Sequence, residues 1–320
     1  MTYRMAIISA FLGGIKNRFI TYQEERDIVE RIRLASKVPG LAGIELGYPA
    51  DFKDFGVLKK ALGDTDLGVS AVNFRSRRTG AWLRGSFSSM IEKERDEVVP
   101  DLCRAMDYAK ELGCNLVSTC PLNDGTDYLF ESDYGSLYSY LAESIHKAAE
   151  HDPEVKIALE YKLSDPRTQC LLGTCGETLV VCSKTGLPNV GVTFDFGHSI
   201  YAGERPAQAL ALSVLENRLF YVHMNDNNRQ WDWDMMPGAF NFWDSVEFMF
   251  YLKKYGYSGW IAFDVFAKEF DVVDTFSETV RLTEVLAKIA DTVDQEKAKD
   301  IFSRRDPVAS LQFMYSLIGK

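Results

Sequence analysis

Nowhere in the 320 residues is there an uninterrupted apolar run of the about 18 residues that a membrane-spanning helix requires. The six cysteines include no C-x-x-C pair, and Cys170, Cys175 and Cys182 are loosely spaced, so neither a zinc ribbon nor a dithiol redox motif is written here. They read as reduced, structural thiols. Basic residues cluster no further than "RSRR" at 75–78, and the net charge is −10, which excludes the phosphate-tracking footprint of a nucleic-acid binder. The early "FLGGIKNR" lacks the G-x-G-x-x-G spacing of a dinucleotide fold. Only four histidines occur, and no Pro-, Gly- or Ser-rich linker divides the chain. The N-terminus "MTYRMAIISAFLGG" carries one positive charge and no small-residue cleavage site, so a cytoplasmic protein without a membrane partner is expected.

What is present is a repeated pattern. Short β-rich runs recur at 5–11 (MAIISAF), 43–48 (GIELGY), 68–74 (GVSAVNF), 115–121 (NLVSTCP), 156–162 (KIALEYK), 190–198 (VGVTFDFGH), 219–226 (LFYVHMND) and 260–266 (WIAFDVF). Segments of helical periodicity lie between them, such as "YQEERDIVERIRLASKV" after the first run. Strand–helix alternation of this kind gives parallel strands joined by right-handed crossovers, and eight units make a (β/α)8 TIM barrel. A doubly wound open sheet is the competing arrangement, disfavoured by the missing glycine-rich turn. The expected layout is one barrel over 1–291, with a helical tail over 292–320. The tail's "LQFMYSLI" face is apolar enough to call for packing on a neighbouring subunit or back on the barrel.

In a barrel, the C-terminal strand ends converge on one mouth, where polar residues read as functional. The later runs end in Glu160 and Lys162, then Asp195 and His198, then His223, then Asp264. A carboxylate inside "IALEYK", "VTFDFG" or "IAFDVF" is buried among apolar neighbours, and isolated buried charge is very costly. Three such groups converging repel unless a cation lies between them. Any one of these residues has a plainer reading, since a lone Asp can cap the next helix and a lone His is usually a hydrogen-bonded core residue. It is the convergence that points to metal. Oxygen-rich ligation with one or two imidazoles favours Mn2+ or Mg2+ first, with Co2+ or Zn2+ also open. Asp232 and Asp234, on the loop after the seventh run, can reach a second ion with His198 and a shared Asp195, although an exposed D-x-D is more often simply solvated.

The pieces "LEYK", "DFGH" with "YAGERP", "HMND…WDWD" and "FDVF" together resemble the xylose isomerase-like barrels, a family of sugar isomerases, ketose 3-epimerases and barrel endonucleases. Within it, the pattern is most similar to the two-metal aldose–ketose isomerases, with the histidine at the seventh strand in the manner of rhamnose isomerases. The resemblance implies two divalent ions. The first would be held by Glu160, Asp195, His223 and Asp264, and the second by Asp195, His198, Asp232 and Asp234. It also implies a 1,2-hydride shift on a free monosaccharide, with Lys162 donating to the carbonyl oxygen from beside the two cations, where its proton affinity is lowered. A water near Asp234 would move the hydroxyl proton. Trp82 and Asn123 would wall the sugar, Asn225 and Asp226 would support ligands or touch substrate, and the assembly would be a homodimer or homotetramer.

The histidine that opens the sugar ring in xylose isomerases has no counterpart, because His146, His151, His198 and His223 complete the set. A ketose 3-epimerase, exchanging protons through an enediolate on one metal, is the nearest alternative. It gives no reason for Lys162 or for D-W-D, and Asp264 stands where that mechanism uses the longer Glu. A DNA repair endonuclease, with more histidines and a basic groove, and a non-catalytic sugar-binding barrel are more distant alternatives.

Overall fold

A computed structural model describes residues 3–16, 19–78 and 80–319. Eight strands form one closed parallel barrel: β1 (Arg4–Ile8), β2 (Gly43–Tyr48), β3 (Gly68–Phe74), β4 (Leu116–Thr119), β5 (Lys156–Glu160), β6 (Val190–Asp195), β7 (Leu219–Met224) and β8 (Trp260–Phe263). Each pairs with the next in sequence, and β8 closes on β1 through Met5 opposite Ile261 and Ile7 opposite Phe263. The (β/α)8 barrel expected from the alternating runs is the observed fold.

Side chains alternate across each strand, so one parity packs against the helices and the other fills the barrel. The helix-facing set is Val- and Phe-rich, including Val192, Phe194, Val222 and Phe263, all fully buried. The inward set is mostly small: Ala6, Ala71, Ala158 and Ala262, with Ile8, Leu116 and Tyr221. Four alanines leave room for Tyr221, whose hydroxyl pairs with Ser70 Oγ at 2.7 Å, and for a Ser118–Thr193 hydroxyl pair at 2.8 Å. Continuing the inward parity towards the C-terminal ends leads from Ala158 to Glu160, from Thr193 to Asp195, from Tyr221 to His223 and from Ala262 to Asp264. The alternation that fills the core therefore also aims the polar set at one mouth.

The β-to-α connections supply α1 (Ile28–Ala35), α2 (Phe55–Gly63), α3 (Glu92–Glu111), α4 (Tyr134–Ala149), α5 (Cys175–Thr185), α6 (Phe196–Tyr201), α7 (Pro206–Leu215), α8 (Phe242–Lys254) and α9 (Val272–Asp291), with α9 beside α8. Caps fix many of their starts; Asp27, Asp54, Asp133, Thr174 and Asp271 each accept a backbone N–H of the first turn. The tail forms α10 (Gln295–Arg304) and α11 (Pro307–Ser316). Ala298 and Ile301 of α10 are buried and the Phe302 ring meets Phe250 edge-on, so this part folds back onto α8. α11 has no buried residue, and Val308, Leu311 and Tyr315 are more than half exposed. Among the described residues, no helix is long and apolar enough to cross a membrane.

Asp226, expected near substrate or ligands, is fully buried and saturated instead. Its carboxylate accepts from Phe240 N at 2.7 Å, Asn241 N at 3.0 Å, Asn241 Nδ2 at 2.6 Å and Asn227 N at 2.8 Å, and so pins the long β7–α8 loop at both ends. Removing an acceptor that serves several buried donors leaves each of them unsatisfied. Asp226→Ala is expected to cost about 3 kcal/mol or more, read as a lowered midpoint in urea unfolding.

Candidate metal and active site

Glu160 ends β5, Asp195 ends β6, His223 lies one residue before the end of β7, and Asp264 follows β8 directly. Parallel register sets His223 opposite Asp195 and Ala262 opposite His223, so successive ligand positions stay level around the mouth. One ligand atom from each of Glu160, Asp195, His223 and Asp264 lies within 4.8 Å of the others. Glu160, Lys162, His198, Asp232, Asp234 and Asp264 line a cavity of about 220 Å3, while Asp195 and His223 are fully buried behind it.

Glu45, on β2, is the residue that sequence reasoning missed. It is fully buried, accepts from Asn73 Nδ2 at 2.6 Å, and lies 3.0 Å from His223 Nε2. That contact directs the other ring nitrogen, Nδ1, towards the ligand group, 3.2 Å from Glu160 Oε1 and 3.8 Å from Asp195 Oδ2. A carboxylate that holds the far side of a ligating imidazole fixes its tautomer and orientation. The signal was present, because "GIELGY" buries a lone Glu in an apolar strand just as "IALEYK" does.

Asp195 both caps and faces the site. One oxygen accepts from His198 N at 2.7 Å to start the short helix α6 (Phe196–Tyr201), and the other accepts from Asn225 Nδ2 at 3.2 Å. Asn225 also accepts Gly197 N, and a Cβ on Gly197 would come within 2.4 Å of that oxygen, which is why the turn after Asp195 takes glycine. In the following loop, Asp226 pairs with Met235 in an antiparallel bridge and Asp234 adopts a left-handed backbone, φ 48°. Asp232 and Asp234 then face the cavity while the Trp233 ring is half exposed, with its Nε1 donating to Asn228.

Trp82 and Asn123 do not line the cavity. Asn123 Nδ2 donates to the Trp82 carbonyl at 2.7 Å and its Oδ1 accepts from Ser76, so the pair ties the loop after β3 to the loop after β4.

The electrostatics divide this cluster in two. Burial disfavours charge on Glu160, yet His223 and His198 more than offset it and hold the carboxyl well below the usual range. Asp232 is likewise held low against burial by His198 and Lys162, the latter at 2.8 Å. Both histidines are raised well above their ordinary value, since burial is outweighed for His223 by Glu45 and Glu160 and for His198 by Asp195 and Asp232. Lys162 is raised too: burial opposes its charge, but Asp232, with Asp165 and Asp234, prevails. In the metal-free protein its own neighbours thus hold the ammonium charged. Burial and neighbouring carboxylates push Asp195 up to about 6 and Asp264 up to about 7, and carry Asp234 well above its ordinary value.

Three carboxyls forced towards the neutral form in one cluster mark a place where positive charge is missing. His198 Nδ1 and Asp232 Oδ1 are also buried without a hydrogen-bond partner. Three carboxylates and one imidazole in a small group fit a hard or borderline divalent cation. The set expected for a second ion is drawn together only in part. His198 Nε2 is 3.1 Å from Asp232 Oδ2, but that oxygen also receives Lys162. Among the described residues, the other group close enough to share an ion is Cys120, Glu160 and His198.

The carboxylate–imidazole cluster, which could hold a metal ion, sits at the C-terminal mouth of a closed parallel barrel. The chain belongs to the xylose isomerase-like TIM barrel family, whose model matches residues 32–289. It is 25% identical over 215 residues to a xylose isomerase of Thermus thermophilus, covering 65% of this chain and 56% of that protein. It is 26% identical over 204 residues to an inosose dehydratase of Clostridium beijerinckii, covering 58% and 59%. The alignments therefore span a little over half the length of these two relatives. Among solved structures, an L-ribulose 3-epimerase superposes with a TM-score of 0.72 at 20% identity, covering 95% of this chain and all of that one. A Methylomonas D-allulose 3-epimerase in complex with D-allulose gives 0.66 at 16% identity, covering 90% and 94%, and the IOLI protein with a bound zinc gives 0.67 at 16%, covering 91% and 100%.

Two outcomes follow from the electrostatics. Asp195 and Asp264 bind protons in the folded, metal-free protein up to about pH 6 and 7, whereas ordinary carboxyls in the unfolded chain have lost theirs by about pH 5. The folded state then holds more protons than the unfolded state between about pH 5 and 7, so this cluster's contribution to stability falls as pH rises. A divalent cation replaces those protons, so the rise in melting temperature on adding Mn2+ should be small at pH 5 and grow through pH 7.5; a pH-independent rise would contradict this. Glu45→Gln, which weakens the hold on His223, should lower ion affinity about 10- to 100-fold in isothermal titration while leaving the metal-free fold intact.

Proposed function

We propose that this protein is an aldose–ketose isomerase acting on a free monosaccharide by a 1,2-hydride shift. The observation that carries the reading is Lys162, a charged ammonium lining the cavity two residues beyond Glu160 and fixed 2.8 Å from Asp232. A hydride shift moves hydrogen between two substrate carbons and needs no protein base at carbon, but it builds negative charge on the carbonyl oxygen. A positioned cation stabilises that charge. Glu160, Asp195, His223 and Asp264 would hold a divalent ion, and His198, Asp232 and Asp234 stand where a second was expected; Mn2+ is the first candidate, with Mg2+ or Co2+ alternatives. Divalent cations, when bound, polarise substrate oxygens as Lewis acids. Lys162 Nζ would donate to the carbonyl oxygen, with Asp232 keeping it charged and aimed. Asp234 would exchange the hydroxyl proton from the cavity wall, and the Phe11, Phe74 and Leu122 side chains would exclude water.

A second reading has its own support. Glu160 and Asp264 both line the cavity and both belong to one ligand group, as a ketose 3-epimerase exchanging protons through an enediolate would need. We further infer a cytoplasmic homodimer or homotetramer. All six cysteines are free, which suits a reducing compartment, and the exposed apolar side of α11 suits a subunit contact.

Incubating free aldoses and ketoses with the Mn2+-loaded protein in deuterated water separates the two reactions. Isomerisation should retain the substrate hydrogen, whereas one solvent deuterium at the reacting carbon per turnover would establish proton exchange and sink the hydride-shift reading. Lys162→Met should reduce kcat by about 10²-fold or more with ion binding preserved.

A further inference from the structure

Cys120 directly follows β4 and is partly exposed in the cavity wall. Its Sγ, a carboxylate oxygen of Glu160 and a ring nitrogen of His198 lie within 4.8 Å of one another. The second observation is on His198, a residue only 3% exposed. Its Nε2 is engaged by Asp232 at 3.1 Å, whereas its Nδ1 is buried, lacks a hydrogen-bond partner and lies 3.2 Å from Glu160 Oε1. That nitrogen faces Glu160, itself a member of the group, and becomes a ligand atom when a cation takes the place of the proton between them. Asp232, the expected alternative ligand, is already paired with Lys162 through the oxygen that meets His198.

We propose that Cys120, Glu160 and His198 Nδ1 form a second divalent-ion site, bridged to the first through Glu160. Glu160 belongs to both groups, and in two-ion sites a shared carboxylate holds the ions about 3.5–4 Å apart. The set differs from the one expected at the sequence level, in which Asp195 bridges and Asp232 and Asp234 complete the second site. Thiolate, imidazole and carboxylate with an open fourth position is a borderline-soft donor set, selecting Zn2+ or Co2+ over Mg2+ and Mn2+. Occupation would leave Asp232 free to remain the partner of Lys162. The inference rests on the proposed ion site of Glu160, Asp195, His223 and Asp264 only for the sharing of Glu160.

The test is titration of the metal-free full-length protein with Co2+ alone, following near-ultraviolet absorbance and bound cobalt per chain. The expected result is two Co2+ per chain, the second accompanied by an intense thiolate-to-cobalt charge-transfer band. Cys120→Ser should abolish the band and weaken the second ion about tenfold or more, leaving the first in place; Cys120→Ala, checked by circular dichroism, guards against a folding artefact of either substitution. Two cobalt ions without the band would assign the second to oxygen and imidazole ligands and overturn the cysteine site. A band that survives both substitutions overturns it as well. A separate assay of sugar turnover keeps the two readings apart: a cysteine-dependent band without isomerisation retires the isomerase reading alone, and isomerisation without the band retires only this site.

Discussion

The mouth of this barrel is organised by crowded acidic charge. Glu45, Glu160, Asp195, Asp232, Asp234 and Asp264 converge there around His198, His223 and Lys162, with Arg75 and Arg77 on the cavity wall. Two of the carboxylates, Glu160 and Asp232, are satisfied by those bases and held ionised; Asp195, Asp234 and Asp264 are pushed towards the neutral form. Burying acid groups at the cost of their own ionisation is unfavourable for a protein unless something cationic arrives. A divalent ion is a cation that this cluster could hold.

The rest of the fold can be understood as the frame that keeps these charges from relaxing apart. Small inward alanines let the barrel close tightly beneath the mouth, with hydroxyl pairs in the interior where larger apolar groups would not fit. The loops above are locked by buried acceptors. Asp226 pins the β7–α8 loop. Asp124 does the same above β3 and β4, accepting from Ser86 N at 2.9 Å and from Ser88 N and Oγ at 2.6 Å each. Neither carboxylate lines the cavity, yet both set where the cavity walls lie.

On a frame shared by isomerases, epimerases and a dehydratase, the reaction is chosen by a few groups at the floor of the cavity. The quartet Glu160, Asp195, His223 and Asp264, which could hold a metal ion, is compatible with either proposed chemistry, since both require a polarised carbonyl. What differs is the company it keeps. A fixed ammonium beside Glu160 suits charge stabilisation on oxygen, whereas a free carboxylate pair suits proton traffic at carbon. In this chain, the short Asp264 and the Lys162–Asp232 pair weight that balance, and Cys120 adds a donor of a softer kind to the same wall.

Much of this is legible in the sequence. Eight alternating runs specified the barrel, because strand and helix periodicities are local properties of the chain. Lone acids in apolar strands specified Glu160, Asp195 and Asp264, because burial of a charge shows in its immediate neighbours. The same logic applied to "GIELGY" leads to Glu45, but its purpose, holding His223 across the barrel, depends on the closure of β1 between β8 and β2. Asp226, Trp82 and Asn123 look from the sequence like substrate contacts, and in space they are loop fasteners. Asp232 looks like a ligand and is found holding Lys162. Sequence spacing along one strand determines which side chains point inward; which of them meet, and which partner each polar atom takes, is decided by barrel register and loop path, which join residues far apart in the chain, 178 positions in the case of His223 and Glu45.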